Sequence, residues 1–443
     1  MLESGALEGS FADFVQLEGK SLEVRAQRYC EWRSNRLKQG VWPFATALQS
    51  APGPEATVID EAGKERTGMN FASQDYLGLA SHIEVRAAAI EAIKEYGTHI
   101  AGAPVLQGNS TLSLRLQAAV AELIGLRHVV LFPTGWAAGY GVITALIRSK
   151  DHVVLDRYAH NCCVQGARAS TDNVHRVRHL STDAFVRKLR SIRATDAENA
   201  ILVVTEGIFS MDGDSPDLQA LQAACREYEA TLLVDVAHDL GAVGPGGTGT
   251  LGLQGLVGTV DLVIGSFSKV FASNGGFVST SSAAIREYLR PYAPSHTFSN
   301  ALSPPQCATV LRALEIVRGS EGEVLRQNLR GVVEFLREEL TGAGVKCLGK
   351  PGPLVPVLLG PEGVGRITAA LCFDHGVFAS LVEFPAVSVG ASRFRMQVMA
   401  THTRAQAQLA AKVIGSAYRF AKQLLGRPTH PPPDASAVTG GSG

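Results

Sequence analysis

The sequence predicts an α/β protein built on a mostly parallel sheet covered by helices, with a smaller α+β domain beside it. Three observations carry that prediction. Short β-branched runs, apolar on both faces, recur along the chain: HVVLFP, HVVLD, AILVVTEG, TLLVDVAH and DLVIGSFSK. Strands of that kind are buried on both sides, the normal condition of a parallel sheet. Longer segments separate them, as crossover connections require. After about residue 305 the texture changes to two long amphipathic stretches, ATVLRALEIVRG and LRQNLRGVVEFLREELTGAG, followed by strand-like LVPVLLG, GVFASLVEF and RFRMQVMA.

In chain order, the first 45 or so residues read as helical, with EVRAQRYCEWRSNRLKQG rich in helix formers and ending on Gly40. ATVIDEAGKERTGMNF follows as strand and turn, with Ala62-Gly63 suited to a hairpin. Asp75-Tyr76-Leu77-Gly78-Leu79 is a compact apolar knot. Leu112, Leu116, Ala119, Val120 and Leu123 recur at helical spacing, and Gly125 stops that helix. The expected division is a segment 1–68 packing with the small domain, a large domain 69–305, a small α+β domain 306–425, and a tail 426–443 whose Pro, Gly and Ser content reads as disordered.

Composition narrows the function. Lys+Arg and Asp+Glu both count 41 in 443 residues, so no net charge draws the chain towards nucleic acid or an anionic membrane. Acidic residues in MLESGALEGSFADF stand where a secretory signal would be basic, and no apolar run is long enough to span a bilayer. Seven cysteines without framework spacing read as reduced thiols of a cytoplasmic protein, and no metal motif is expected.

Chemistry gathers at strand ends. In DLVIGSFSKV a buried strand runs into small hydroxyl residues and then Lys269; an amine held there with a depressed pKa suits Schiff-base formation. By itself, a lysine in such a place is more often an exposed loop residue. Asp235 ends the apolar LLVD and needs a cationic partner, such as a protonated pyridine nitrogen, or a structural salt bridge or helix cap. His238 could reach a phenolic oxygen on the same ring. Thr134-Gly135-Trp136 opens a helix whose N–H groups could cradle a phosphate, and His160 sits just past another buried strand. Gly244, Gly246 and Gly249 match dinucleotide-fingerprint spacing, but Pro245 and the lack of a strand-turn-helix context argue against that reading.

Together these residues resemble the α-oxoamine synthase family of pyridoxal-phosphate enzymes. The specific stretches are NFASQDYLGLASH, LFPTGWAAGYG, DRYAHNCCVQGA, VVTEGIFSMDGDSPDL, LLVDVAHDLGAVGPGGTG, GSFSKVFASNGGF and PAVSVGASRFR. The resemblance implies the fold type I transferase architecture, with a mostly parallel seven-stranded sheet flanked by helices. It implies Lys269 as the Schiff-base lysine, Asp235 as partner of the pyridine nitrogen, His160 stacked over the ring and His238 at the ring oxygen. Ser266 and Ser268 with the Gly135-Trp136 backbone match the phosphate contacts, and Ser210 a cofactor-proximal serine. Arg395 matches the residue that holds the substrate carboxylate. Ser299 and Asn300 match a segment reaching the partner subunit's phosphate, which implies a homodimer. The implied reaction joins a small L-amino acid (Ser, Ala or Gly) to an acyl thioester, delivered by coenzyme A or a carrier protein, with loss of CO2.

Departures bear on the substrates. Gln74 stands where many members have Asn, Ala386 where biotin-pathway members often have Thr, and Asn161-Cys162 where Ala-Ser is usual after His160. FSKVFASNGGF looks more like bacterial serine palmitoyltransferases than 8-amino-7-oxononanoate synthases. The alternatives are another fold type I enzyme, an aminotransferase or C–C lyase, and a non-catalytic scaffold subunit; Lys269 argues against the scaffold.

Overall fold

The apolar runs of the sequence lie side by side in the computed structural model, which describes residues 4–426. His128–Phe132, His152–Asp156, Ile201–Glu206, Thr231–Asp235 and Leu262–Ser266 are buried along almost their whole length. Val174–Val177 and Gly276–Thr280 complete a sheet of seven strands. Across the sheet the order is His128–Phe132, Gly276–Thr280, Leu262–Ser266, Thr231–Asp235, Ile201–Glu206, His152–Asp156, Val174–Val177. Gly276–Thr280 runs antiparallel to both its neighbours, and the remaining pairings are parallel. The expected mostly parallel sheet is therefore present, with one reversed strand.

The opening of the chain is less helical than its composition predicts. Only Leu22–Lys38 is an α-helix, started by Ser21 Oγ accepting the Val24 N–H and followed by Gly40 at φ +69°. Ser4–Ala6 and Phe11–Phe14 are isolated 3-10 turns. Gly9 and Gly19, both at positive φ, break the continuity that the helix formers would otherwise support. Phe11, Trp32, Trp42 and Phe44 pack there at centroid separations of 5.0–5.9 Å, largely edge to face.

A second sheet has the order Ala47–Leu48, Glu55–Ile59, Glu65–Phe71, Val377–Val382, Ser392–Gln397, Leu354–Gly360, Lys346–Cys347. Its N-terminal hairpin turns at Gly63, φ +82°, with Asp60 Oδ1 accepting the Ala62 and Lys64 N–H groups. Glu65–Phe71 pairs in parallel with Val377–Val382, so two distant parts of the chain form one sheet. Glu383 sits between two buried guanidiniums: Arg366 Nε is 2.7 Å away, and Arg36 of the N-terminal helix 3.9 Å. The helix Pro304–Arg318 packs on Ile83–Tyr96 and Thr111–Ile124 as well as on Ser320–Gly342. One continuous hydrophobic core, from Met69 to Ala417, underlies both sheets. Among the described residues no helix is long and apolar enough to cross a membrane. The expected disordered tail lies, apart from Gly426 at the end of Arg404–Gly426, outside the described residues.

The join between the two chain segments leaves no room for a side chain at Gly68. A Cβ there would lie 2.2 Å from Gly376 O, beside the 2.8 Å bond from Met69 N–H to the same oxygen. Gly68→Ala is expected to lower unfolding free energy by about 1–3 kcal/mol, read as a lower urea midpoint. An unchanged midpoint would contradict the packing described here.

Candidate active site

Parallel strands bring their C-terminal ends to one edge, and that edge holds the polar residues of an otherwise apolar sheet. Asp235 lies in register with Glu206 on one side and Ile264 on the other. Burial, reinforced by the charge of Asp235, pushes the Glu206 carboxyl well above the ordinary range, so it is held protonated. Asp235, also buried, accepts the Ala237 N–H at 2.9 Å. Lys269 stands just beyond Leu262–Ser266 and is half-buried. Burial lowers its ammonium pKa; the charge of Asp235 opposes that shift and the charge of Arg395 adds to it. An amine so placed has more free base than a surface lysine, the form that attacks carbonyl groups.

Two histidines approach the same edge in opposite protonation states. His160 caps the helix Asn161–Ser170, with Nδ1 2.9 Å from Cys162 Sγ and 3.3 Å from Cys162 N. The Cys162 contact raises its pKa against the effect of burial. His238 is buried, and burial, with the charges of Lys269, Arg395 and His160, drives its pKa well down. Its Nδ1 is 2.8 Å from the hydroxyl of Tyr76, itself fully buried. The pair is thus a neutral imidazole and a phenol.

The helix Gly135–Leu146 starts at the same edge. Thr134 Oγ1 caps Ala137 N–H at 3.0 Å, and the Gly135 and Trp136 N–H groups precede the first helical bonds. A Cβ on Gly135 would lie 2.5 Å from Ser266 Cβ, so glycine lets the helix end close on the strand end. Ser266 Oγ is 2.7 Å from Ser268 Oγ. The Trp136 ring is exposed and stacks on Tyr140 at 5.1 Å.

From the second sheet, Arg395 faces a cleft of about 1190 Å³ that is also lined by His160, Ser210 and Ala386. Its buried Nε has no hydrogen-bond partner among the described residues, and burial lowers its pKa. A buried guanidinium without an acceptor is a receptor for an anion. Arg393, two residues earlier, is by contrast ion-paired with Asp212, which ties this strand to the loop carrying Ser210.

The structure brings Lys269, Asp235, His160, His238, Gly135, Ser266 and Arg395 to one region. Gln74 is half-buried and does not line the cleft. Ser299 and Asn300 also lie away from the cleft, Asn300 bonding His99 Nε2 at 3.2 Å, next to Phe298, which is 87% exposed. Gly244 and Gly249 serve a local turn: Asp239 Oδ2 accepts the Thr250 N–H at 2.7 Å, and a Cβ on Gly249 would come 2.8 Å from that oxygen. Sequence reasoning missed Tyr76, Glu206, Cys162 and His179 as site components. Tyr76 and Glu206 stood inside quoted motifs, but their partners lie far off in sequence. His160, Cys162 and Asp235 also offer ligand atoms within 4.8 Å of one another.

Residues 66–414 match the model of the aminotransferase class I and II family. The chain is 32% identical over 368 residues to the 8-amino-7-oxononanoate synthase of Citrifermentans bemidjiense, covering 83% of this chain and 93% of that one. It is 34% identical over 365 residues to the serine palmitoyltransferase of Sphingobacterium spiritivorum, covering 82% and 89%. The chain belongs to the α-oxoamine synthases. Its fold matches a serine palmitoyltransferase from S. paucimobilis, solved with a bound PLP-myriocin aldimine, at TM-score 0.84 and 27% identity, over 91% of this chain and 100% of that one. The protein is therefore a pyridoxal-phosphate-dependent C-acyltransferase of fold type I. Its residues fit that cofactor: a lysine shifted towards free base, a buried carboxylate, a neutral imidazole–phenol pair and a glycine-opened helix end converge.

His179 braces the floor of this site. Its Nδ1 is 2.8 Å from Asp156 Oδ1 and its Nε2 3.1 Å from Asp214 Oδ2. Burial opposes its charge, but the bonds and charges of both carboxylates outweigh it and hold the imidazolium up to about 9, against an ordinary 6.5. A raised folded-state pKa gives stability that is complete below pH 6.5 and is lost as pH rises through about 9. Urea melts at the two ends of that window should differ by about 2 kcal/mol more in the wild type than in His179→Gln. Identical pH dependence in the two proteins would refute the brace.

Proposed function

We propose that the protein condenses a small L-amino acid (serine, alanine or glycine) with an acyl thioester, releasing CO2 and the free thiol to leave an α-amino ketone. The observation that carries this is Arg395, an unpartnered buried guanidinium facing the cleft and acting electrostatically on Lys269. In this reading the large domain (69–305) holds the cofactor, and the small domain (306–425), with segment 1–68 joined to its sheet, supplies Arg395.

Arg395 binds the amino-acid carboxylate by charge-assisted hydrogen bonds and thereby aims the Cα proton at Lys269. Lys269 anchors the cofactor and, with its depressed pKa, accepts that proton. Asp235 balances the positive charge of the ring nitrogen, while His238 with Tyr76 holds the ring oxygen. His160 covers the ring face. The Gly135 and Trp136 N–H groups, Ser266 and Ser268 hold the phosphate, and Ser210 lies close to the cofactor. Ser299 and Asn300 reach the phosphate of the other subunit in a homodimer. Gln74 and Ala386 shape the substrate side. Bound pyridoxal phosphate supplies the electron sink for the carbon that loses its proton.

The cleft suits a thioester arm. Arg157, Arg168, Arg176 and Arg178 line it, are exposed, and form no ion pair among the described residues. Phosphates of a phosphopantetheine arm, from acyl-coenzyme A or an acyl-carrier protein, complement that charge. Phe11, Phe44, Leu381 and Val387 offer the acyl chain an apolar wall.

Two measurements test the reading. Lys269→Ala is expected to lose the visible absorption of the covalently held cofactor and all turnover. Arg395→Ala should keep that absorption but raise the amino-acid KM about 10- to 100-fold. A panel of amino acids against acyl thioesters of graded length, scored by thiol release, identifies the substrates. Amino-acid turnover without thiol release from any thioester would replace condensation with transamination or C–C cleavage.

A further inference from the structure

The imidazole that lines the cleft has a sulfur behind it. Both hydrogen-bond contacts of the His160 side chain go to Cys162, through Nδ1 to Sγ at 2.9 Å and to the backbone N at 3.3 Å. No other side-chain hydrogen bond of His160 occurs among the described residues, so Nε2 is the nitrogen left for the cleft. Cys162 is only 1% exposed and belongs to the first turn of Asn161–Ser170, where unpaired N–H groups favour negative charge. Its position is confined from the opposite side. On the neighbouring helix Gly135–Leu146, a Cβ at Gly139 would come 2.4 Å from Cys162 Sγ, so a glycine makes the space the sulfur fills. The next sulfur, Cys163 Sγ, is 3.8 Å away.

We propose that Cys162 is a positioning residue for the condensation: its sulfur and His160 Nδ1 form a hydrogen-bonded thiolate–imidazolium pair that fixes the ring plane and presents Nε2–H to the cleft as a cationic donor. This rests on the reading that His160 covers the cofactor. The reaction benefits because a donor held by a buried partner needs no reorganisation when charge develops on the substrate.

The charges around the pair are compatible with it. The bond from Cys163, then that from His160, bring the Cys162 thiol down to about 6 against its burial, while the Cys162 contact is the largest influence raising His160. Asp235 favours the imidazolium and opposes the thiolate; Lys269 opposes the imidazolium. Glu206, which accepts the His160 backbone N–H, is held protonated and adds little charge. Cys163 is pushed well above the ordinary thiol range, so only one of the two sulfurs ionises near neutrality.

Cys162→Ser keeps a small hydrogen-bonding group but removes the charge, and His160 then falls back under burial and Lys269. The first measurement is independent of turnover: ultraviolet thiolate absorbance of the holoenzyme, titrated from acid to mild alkali, wild type against Cys162→Ser and Cys163→Ser. One thiolate should appear around pH 6, persist in Cys163→Ser and vanish in Cys162→Ser. Its absence from the wild type until the ordinary thiol range overturns the proposal. The second is the pH profile of kcat/KM. Its alkaline limb should move down by ~1 unit in Cys162→Ser, giving a ~10-fold greater loss at alkaline than at neutral pH. Cys162→Ala should show the same shift with a lower kcat. An equal loss at every pH would mean packing alone and would also overturn it. If the thiolate titrates as expected while no thioester releases thiol, the pair stands and the condensation reading falls.

Discussion

The site depends on charge buried at the ends of neighbouring parallel strands. Parallel pairing sets Glu206 directly across from Asp235, and two carboxylates so placed cannot both be ionised away from water. The conflict resolves by position: Glu206 keeps its proton. Asp235 can then act as the anion of the site, and the groups around it arrange themselves by its field. His238 stays neutral against the phenol of Tyr76, Lys269 is moved towards free amine by burial, and His160 is raised by its sulfur neighbour. Each state follows from the surroundings of one sheet edge, not from the residue type.

The second sheet completes this edge from outside. Arg395 sits in Ser392–Gln397, flanked by strands on both sides, so a rigid element and not a loop aims its side chain. Its alternation with Arg393 gives adjacent outward positions different tasks: one arginine closes on Asp212, and the other is left facing the cleft. That sheet exists only because the N-terminal hairpin joins it at Gly68 and Gly376, with Arg366 and Arg36 gripping Glu383 below. Residues near the chain's start therefore support the position of a substrate-facing arginine near its end.

The five core strands were legible because each carries a long both-face apolar pattern that little else explains. Val174–Val177 and Gly276–Thr280 were not: VHRV is short and half polar, and GFVST begins with glycine and ends in hydroxyls. Gly276–Thr280 earns its burial from its neighbours, lying between His128–Phe132 and Leu262–Ser266. At the N-terminus the error ran the other way, since helix-forming residues interrupted by Gly9 and Gly19 looked helical in composition alone. Lys269, Asp235 and Arg395 were legible as motif residues. Tyr76 was not legible as a partner of His238, because 162 positions separate them and only the closed fold brings hydroxyl to imidazole.

By itself, the sequence determined the class of the protein: an alternating α/β chain, a lysine after a buried strand, an aspartate ending another, and motifs in the order of an α-oxoamine synthase. Those are local properties, written in burial pattern and spacing. The tertiary structure alone decided protonation and partnership. Whether a carboxyl keeps its proton, whether a guanidinium is paired, and which sulfur stands behind an imidazole depend on groups distant in sequence and on how much water the packing excludes. For the same reason Arg393 and Arg395, alike in SRFR, part ways only in the folded chain, where Asp212 reaches one of them and not the other.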